Sequence, residues 1–190
     1  MVENRISIRG RYRDILIGPG KRIVYDSGWR SNTIVRQCRV LLAGFMKSDQ
    51  QASGIQYLAV GQGDEAWDAQ WNTATPPPPD PSSTNLQNRF DPPIPVPPAS
   101  PVPGKDYLEI IYLDDSDNPA ASGVVTNTLQ IKAVLSPGYP APSQFNTYPL
   151  REFGLFGSFG ATDYMINYVK HPVIYKDTSA TLVREIRLYF

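Results

Sequence analysis

YPLREFGLFGSFGATDYMINYVKHPVIYKDTSATLVREIRLYF, running from Tyr148 to Phe190, decides the fold. At its end Leu182, Arg184, Ile186, Leu188 and Phe190 alternate with Val183, Glu185, Arg187 and Tyr189. A two-residue period of this kind is the mark of a strand with one face buried. The pattern is carried to the last residue, so the expectation is a chain tied into its sheet at that end, with no fibre shaft beyond it. A run of strands here points to a building block of an assembly more than to a catalyst.

Outward from this stretch, strands are expected at 107–113 and 129–135, joined by the polar loop Asp114-Asp115-Ser116-Asp117-Asn118-Pro119. Another is expected at 55–61, ending in Gly61-Gln62-Gly63. Short strand candidates occupy 5–8, 14–17 and 22–25, the last two separated by the turn Gly18-Pro19-Gly20. One helix is predicted over about 31–47, capped by Ser31 or Asn32. Its apolar face would carry Ile34, Cys38, Leu41, Leu42, Phe45 and Met46. One helix against some eight short strands implies a mainly β fold, either a β-sandwich or a curved antiparallel sheet with that helix packed across it.

Residues 75–104 differ in kind. They hold twelve of the nineteen prolines, and so many missing N–H donors do not fit inside a sheet. Polyproline II, rising about 3.1 Å per residue, is the expected local form. The organisation is then a single β-rich domain built from 1–74 and 105–190, with 75–104 inserted as a long proline-rich extended arm or loop. A disordered linker, a ligand for an aromatic-lined groove and an arm lying on a neighbouring subunit all fit this composition. Leu86, Phe90, Ile94 and Val96 give it apolar handholds that a pure spacer lacks, which favours the arm. Trp67, Trp71, Phe90, Ile94 and Val96 are therefore the candidate interface residues.

Composition narrows the function classes. Of 190 residues, 41% are apolar, enough for a core. Eighteen basic side chains balance eighteen acidic ones, so no basic excess marks a nucleic-acid partner. The longest apolar run, near 40–46, falls far short of the roughly 20 residues of a membrane span. The charged start MVENRISIRGRYRD has no apolar signal region, so secretion is not expected and assembly in a reducing cytoplasm is. A single cysteine, Cys38, forbids an internal disulfide and is read as a small buried hydrophobe.

Familiar catalytic constellations lack parts. The lone histidine, His171, reads as structural, and no serine stands in a nucleophile elbow. Gly18-Pro19-Gly20-Lys21 and Gly61-Gln62-Gly63 lack phosphate-loop spacing and read as turns. Asp114, Asp115 and Asp117 could hold calcium but lack the EF-hand glycine and glutamate, and a solvated loop is the plainer reading. Arg151-Glu152 and Arg184-Glu185 could pair across strands, with solvated charges as the plainer reading. No cofactor, metal or catalytic residue is assigned, and no enzymatic activity is expected.

Four segments together resemble a known family. GIQYLAVGQG (54–63), TNLQNRF (84–90), the strand at 129–135 and LREFGLFG (150–157) follow the order seen in the N-terminal attachment domain of phage tail-fibre and tail-collar proteins. YMINYVKHPVIYK (164–176) is similar to the return strands after that motif. The resemblance covers roughly residues 29–190. It implies a structural role in a virion tail, as a baseplate, collar or fibre-adaptor subunit held among other virion proteins in a symmetric homo-oligomeric particle. A capsid-decorating cement protein and a carbohydrate-binding module using Trp67 or Trp71 are the alternatives.

Overall fold

The last strand follows its pattern: β10 (Thr181–Tyr189) alternates buried and half-buried residues along its whole length. The computed structural model describes residues 8–71, 78–140 and 146–190. Among them β10 lies between β1 (Arg9–Ile17) and β7 (Thr128–Leu135), antiparallel to both. β8 (Thr147–Phe159) and β9 (Thr162–Asp177) form a long hairpin that turns through Gly160 at φ 60°. Glycine takes that left-handed conformation without steric cost.

The remaining strands are β2 (Ile23–Asp26), β3 (Arg30–Ile34), β4 (Ala52–Gly61), β5 (Ile94–Pro95) and β6 (Glu109–Tyr112). The ten described strands make one antiparallel sheet, ordered β5-β4-β8-β9-β3-β1-β10-β7-β6, with β2 beside β1. It curls into a half-barrel. β3 is the joint, since residues 30–32 pair with β1 while Thr33 and Ile34 pair with β9. At the far seam the Leu108 N–H donates to the Pro95 carbonyl at 2.9 Å, bringing the two sheet ends together there.

The concave face gathers one core, including Tyr12, Leu58, Ile131, Phe153, Leu155 and Ile186. A second cluster of Val35, Ala59, Leu86, Phe156, Met165 and Tyr168 lies apart from it. Burial runs unbroken from Leu150 to Gly157 on β8, as it does in strands covered on both faces.

Several expectations need correcting. The helix begins later than predicted: α1 spans Arg36–Met46, and Ser31 and Asn32 belong to β3. No side chain caps it; its first position is fixed instead by the buried Val35, whose N–H donates to Ile166 O at 3.1 Å. Cys38 and Leu41 face the core, but Phe45 is 43% and Met46 90% exposed, so the predicted stripe is too wide. A second short helix, α2 (Ala66–Trp71), was not foreseen. β1 is one strand running through Arg9–Ile17, where a break was expected; residues 5–7 lie outside the described residues.

The described part of the proline-rich segment, 78–104, is not an arm standing free of the domain. It runs as a strap over its own sheet, and Leu86 and Ile94 are buried in the core clusters. β5 pairs with β4 through Tyr57↔Pro95 and Leu58↔Ile94. Proline is tolerated there because β5 is a sheet edge.

Candidate functional site: a strap held by buried charges

Three of the four quoted segments, 54–63, 84–90 and 150–157, meet at one place. Gly61 of β4 lies opposite Glu152 of β8, and the chain at Arg89 bridges to Gly61 from the other side. Gln62 N–H donates to Asn88 O at 2.8 Å, and Phe90 N–H to Val60 O at 2.9 Å. The Glu152 carboxylate, sealed from solvent, accepts three hydrogen bonds: Asn88 N–H at 2.8 Å, Gln87 N–H at 3.1 Å and Tyr168 O–H at 2.7 Å. A buried carboxylate is stable only when its oxygens are satisfied in this way. Gly61 makes room for it, because a Cβ at that position would run into Glu152 and stand 2.7 Å from Asn88 O.

Arg151 does the same for α2. Its guanidinium grips Asp68 in a two-bond fork at 2.8 and 2.7 Å and donates to Gln62 O at 3.2 Å. The Arg151 hydrogen bond holds the Asp68 carboxyl below its ordinary range. The β8–β9 register shifts between Leu150 and Glu152. That bulge lets consecutive charged residues both reach the inserted segments. Burial, then the bond to Glu152, pushes the Tyr168 hydroxyl well above its usual pKa, so it stays a donor.

The reading of Arg151-Glu152 and Arg184-Glu185 as solvated charges is therefore overturned for three of the four. Arg151, Glu152 and Arg184 are buried, and the dipeptides do not pair with each other. Arg184 pairs with Asp14, its register partner on the adjacent strand β1, with Nε–Oδ1 at 2.6 Å and Nη2–Oδ2 at 3.0 Å. Its guanidinium lies 3.7 Å from the Phe153 ring centroid. Nη2 also stands 3.1 Å from His171 Nε2, while His171 Nδ1 is 2.8 Å from the Pro172 carbonyl. A carbonyl only accepts, so Nδ1 carries the proton and Nε2 accepts from Arg184. Burial, then the neighbouring guanidinium, lowers the imidazole pKa to about 4. Both ring nitrogens are engaged in the interior, an arrangement that fixes structure and offers no general base.

The predicted interface residues divide. Trp67 is buried on α2 against Gly63, with Lys170 Nζ 4.2 Å from its ring centroid. Ile94 is 1% exposed. Phe90 is half-buried, edge-on to Tyr148 at 5.6 Å, and Val96 is half-buried against the core. Trp71 is half-buried, and its indole N–H has no partner among the described residues. Trp67 and Ile94 are thus buried within this chain's own packing.

Other groups take structural places. Cys38 is buried, and burial pushes its thiol up to about 11. Asp114 Oδ1 accepts the Ser116 and Asn118 N–H groups, each at 2.9 Å, and Asp117 pairs with Arg187 at 2.7 Å. Among the described residues no group of three or more His, Cys, Asp or Glu is placed to hold a metal. No described helix is long and apolar enough to cross a membrane.

Two hollows lie on the surface of the described residues. One, of about 580 Å³, is lined by Arg9, Arg11, Arg39, Asn32, Asp117 and Tyr189 among others. The other, of about 230 Å³, is an apolar groove between α1 and the two ends of the sheet. Sequence reasoning missed Asp14, Asp68 and Tyr168. Asp14 had a visible signal, because it shares the inward parity of Gly10 and Tyr12 on β1. No family model, no curated protein and no solved structure matches this chain.

Proposed function

We propose that this protein is a structural subunit of a phage or phage-like tail, at a baseplate, collar or fibre-adaptor position, and that it works by assembly with neighbouring virion proteins rather than by turnover. One observation carries the reading. GIQYLAVGQG, TNLQNRF and LREFGLFG, distant in sequence, converge on the Glu152 clamp, where every polar group that touches the carboxylate is a hydrogen-bond donor. Such a cluster sets a shape and presents no reacting atom. This is what the resemblance to a tail attachment domain implies of those motifs.

The surface fits the same reading. Ile110, Tyr112, Val124, Val125 and Phe190 are exposed apolar residues near one end of the sheet, of the kind that subunit contacts cover. Sugar stacking by Trp67 is disfavoured, because the side chain is buried with Lys170 over its ring. Of the strap's apolar handholds, Leu86 and Ile94 are spent on the domain itself, which favours a contact surface elsewhere.

The test is direct. Purified particles should contain this chain at a fixed copy number, and a labelled chain should localise to the tail in images of the particle. Finding it only as a free protein, or only on the head, overturns the proposal; the second result assigns the cement role instead.

A further inference from the structure

The hollow of about 580 Å³ gathers cations that have no partner. Arg13, Arg89, Arg151, Arg184 and Arg187 each hold a carboxylate at 3.0 Å or less. Arg9, Arg11 and Arg39 line the hollow and make no ion pair among the described residues. Arg9 and Arg11 stand on the exposed face of β1, two residues and about 7 Å apart, and Arg39 comes from α1. Acidic and basic residues balance over the chain, so three unpaired guanidiniums around one concavity are a local arrangement and not a result of composition. Like charges so placed repel one another and focus a positive field into the space between them.

The wall around them is built. Of the two carboxylates in the lining, Asp117 is already neutralised: Arg187 Nη1 stands 2.7 Å from its Oδ2, and the Tyr189 hydroxyl donates to its Oδ1 at 3.2 Å. Asp115 alone is left against the three cations. Two of the arginines are braced by rings. Arg9 Cζ lies 6.0 Å from the Tyr189 centroid and Arg11 Cζ 5.9 Å from that of Trp29, which also carries Arg187 at 4.3 Å. A guanidinium held over an aromatic face keeps its N–H edge for an acceptor. Asn32 is a second, independent sign. It lies opposite Gly10 in the β1–β3 register, where a Cβ would run into its amide. Asn32 lines the hollow, and both its amide atoms, Oδ1 and Nδ2, are buried with no partner among the described residues. Native interiors seldom leave an amide in that state.

We propose that this hollow binds an oxyanion of the phosphate or sulfate type. The donors set the class. Each guanidinium presents a fork of N–H groups, and the two oxygens of a carboxylate are filled by one such fork. A tetrahedral oxyanion has oxygens for several forks and for an amide N–H besides. A charge of minus two also matches the excess of the three arginines over Asp115. The volume lies in the range of small-ligand sites and exceeds a bare ion, so a molecule carrying the ester has room. Ile8, Ile34 and the Tyr189 ring offer that remainder an apolar surface. The inference goes beyond the assembly reading and does not rest on it.

The test titrates the full chain with inorganic phosphate, glucose 6-phosphate, glucose and a tetraglutamate peptide, by calorimetry and by amide NMR at low salt. Phosphate and glucose 6-phosphate should bind, glucose should not, and the Gly10 amide and Asn32 side-chain NH₂ signals should move. Arg9→Gln or Arg39→Gln should each weaken binding about tenfold, the loss of one charge-assisted contact. Both residues are exposed, so neither substitution threatens the fold. Arg22→Gln, an exposed cation outside the hollow, should change affinity less than about twofold. Equal affinity for phosphate and its ester assigns the site to the free ion, and tighter binding of the ester assigns it to a phosphorylated ligand; either result supports the class.

No binding of phosphate or its ester overturns the inference, and so does glucose binding as well as its ester. An Arg22→Gln loss equal to that of Arg9→Gln reduces the effect to general surface charge and overturns it too. Tetraglutamate binding more tightly than glucose 6-phosphate gives the hollow to an acidic protein segment instead. Binding that appears only on deletion of residues 1–7 gives it to this chain's own start, where Glu3 would be the competing anion.

Discussion

The Glu152 carboxylate accepts the Asn88 backbone N–H at 2.8 Å across 64 residues of sequence, inside the protein and out of reach of water. Through this bond and its neighbour at Gln87, β8 holds the strap against the end of β4. Glu152→Gln keeps the shape but removes the charge and turns an amide NH₂ toward one of the donors. Hydrogen bonds to a buried charge contribute about 1.5–3 kcal/mol each, so a loss of about 3 kcal/mol is expected. Urea unfolding measures it, and amide exchange at residues 86–90 should accelerate more than in β10. A uniform change across the protein would show that the clamp is not local.

Gly61 tests the same site from its other side. Gly61→Ala places a methyl group against Glu152 and Asn88 O, neither of which can withdraw without breaking the clamp. The expected cost is about 1–3 kcal/mol, the range for overpacking a filled interior. Gly54→Ala, facing open space in the same strand, should cost less than about 1 kcal/mol. Equal costs would refute the packing described around Gly61.

Asp14 and Arg184 call for a double-mutant cycle. Removing one partner of a buried pair strands the other, so Asp14→Leu or Arg184→Met alone should cost about 3–5 kcal/mol. Together they replace an ion pair by apolar groups beside Tyr12 and Phe153. The double variant should recover most of the loss. Additive losses would mean that the two side chains act independently, contrary to the 2.6 and 3.0 Å fork.

Ile94 distinguishes a strap from a free arm. At 1% exposure on an edge strand, Ile94→Ala should cost about 2–4 kcal/mol, measured as a fall in the urea midpoint. A substitution in a segment that waits for a neighbour would leave the isolated protein's stability unchanged.

The sheet was legible where one face alone is buried. Leu182, Arg184, Ile186 and Leu188 share one parity on β10, and all four are inside. That parity carries Arg184 into the core against its reading as a solvated charge, and it could not supply Asp14, which lies 170 residues away and is brought opposite only by the β1–β10 register. The strap was only partly legible, for a related reason. Proline content excludes a central strand but not an edge one, and Ile94 needs only two paired residues to reach the core. α1 began late because Ser31 and Asn32 were taken by β3, a tertiary demand that no local capping pattern reveals. Trp67 was expected at an interface, but it is buried on α2 with Lys170 of β9 over its ring.

His171 makes the interior sensitive to acid. It is the chain's one histidine, and its folded pKa lies near 4, against an ordinary value of about 6.5 in the unfolded chain. Between those values the unfolded state binds a proton that the native state refuses. Stability is therefore undiminished above about pH 7 and falls as pH drops through 6.5 toward 4. One proton over the interval from pH 6.5 to 5 corresponds to about 2 kcal/mol. The loss should appear as a falling urea midpoint across pH 7, 6 and 5, before most carboxylates titrate. His171→Gln keeps an acceptor for Arg184 and carries no titrating proton. It should be less stable at pH 7 but flat across the same interval. A wild-type midpoint that does not move between pH 7 and 5, or a variant that falls with the same slope, would separate the acid response from His171 and its contact with Arg184.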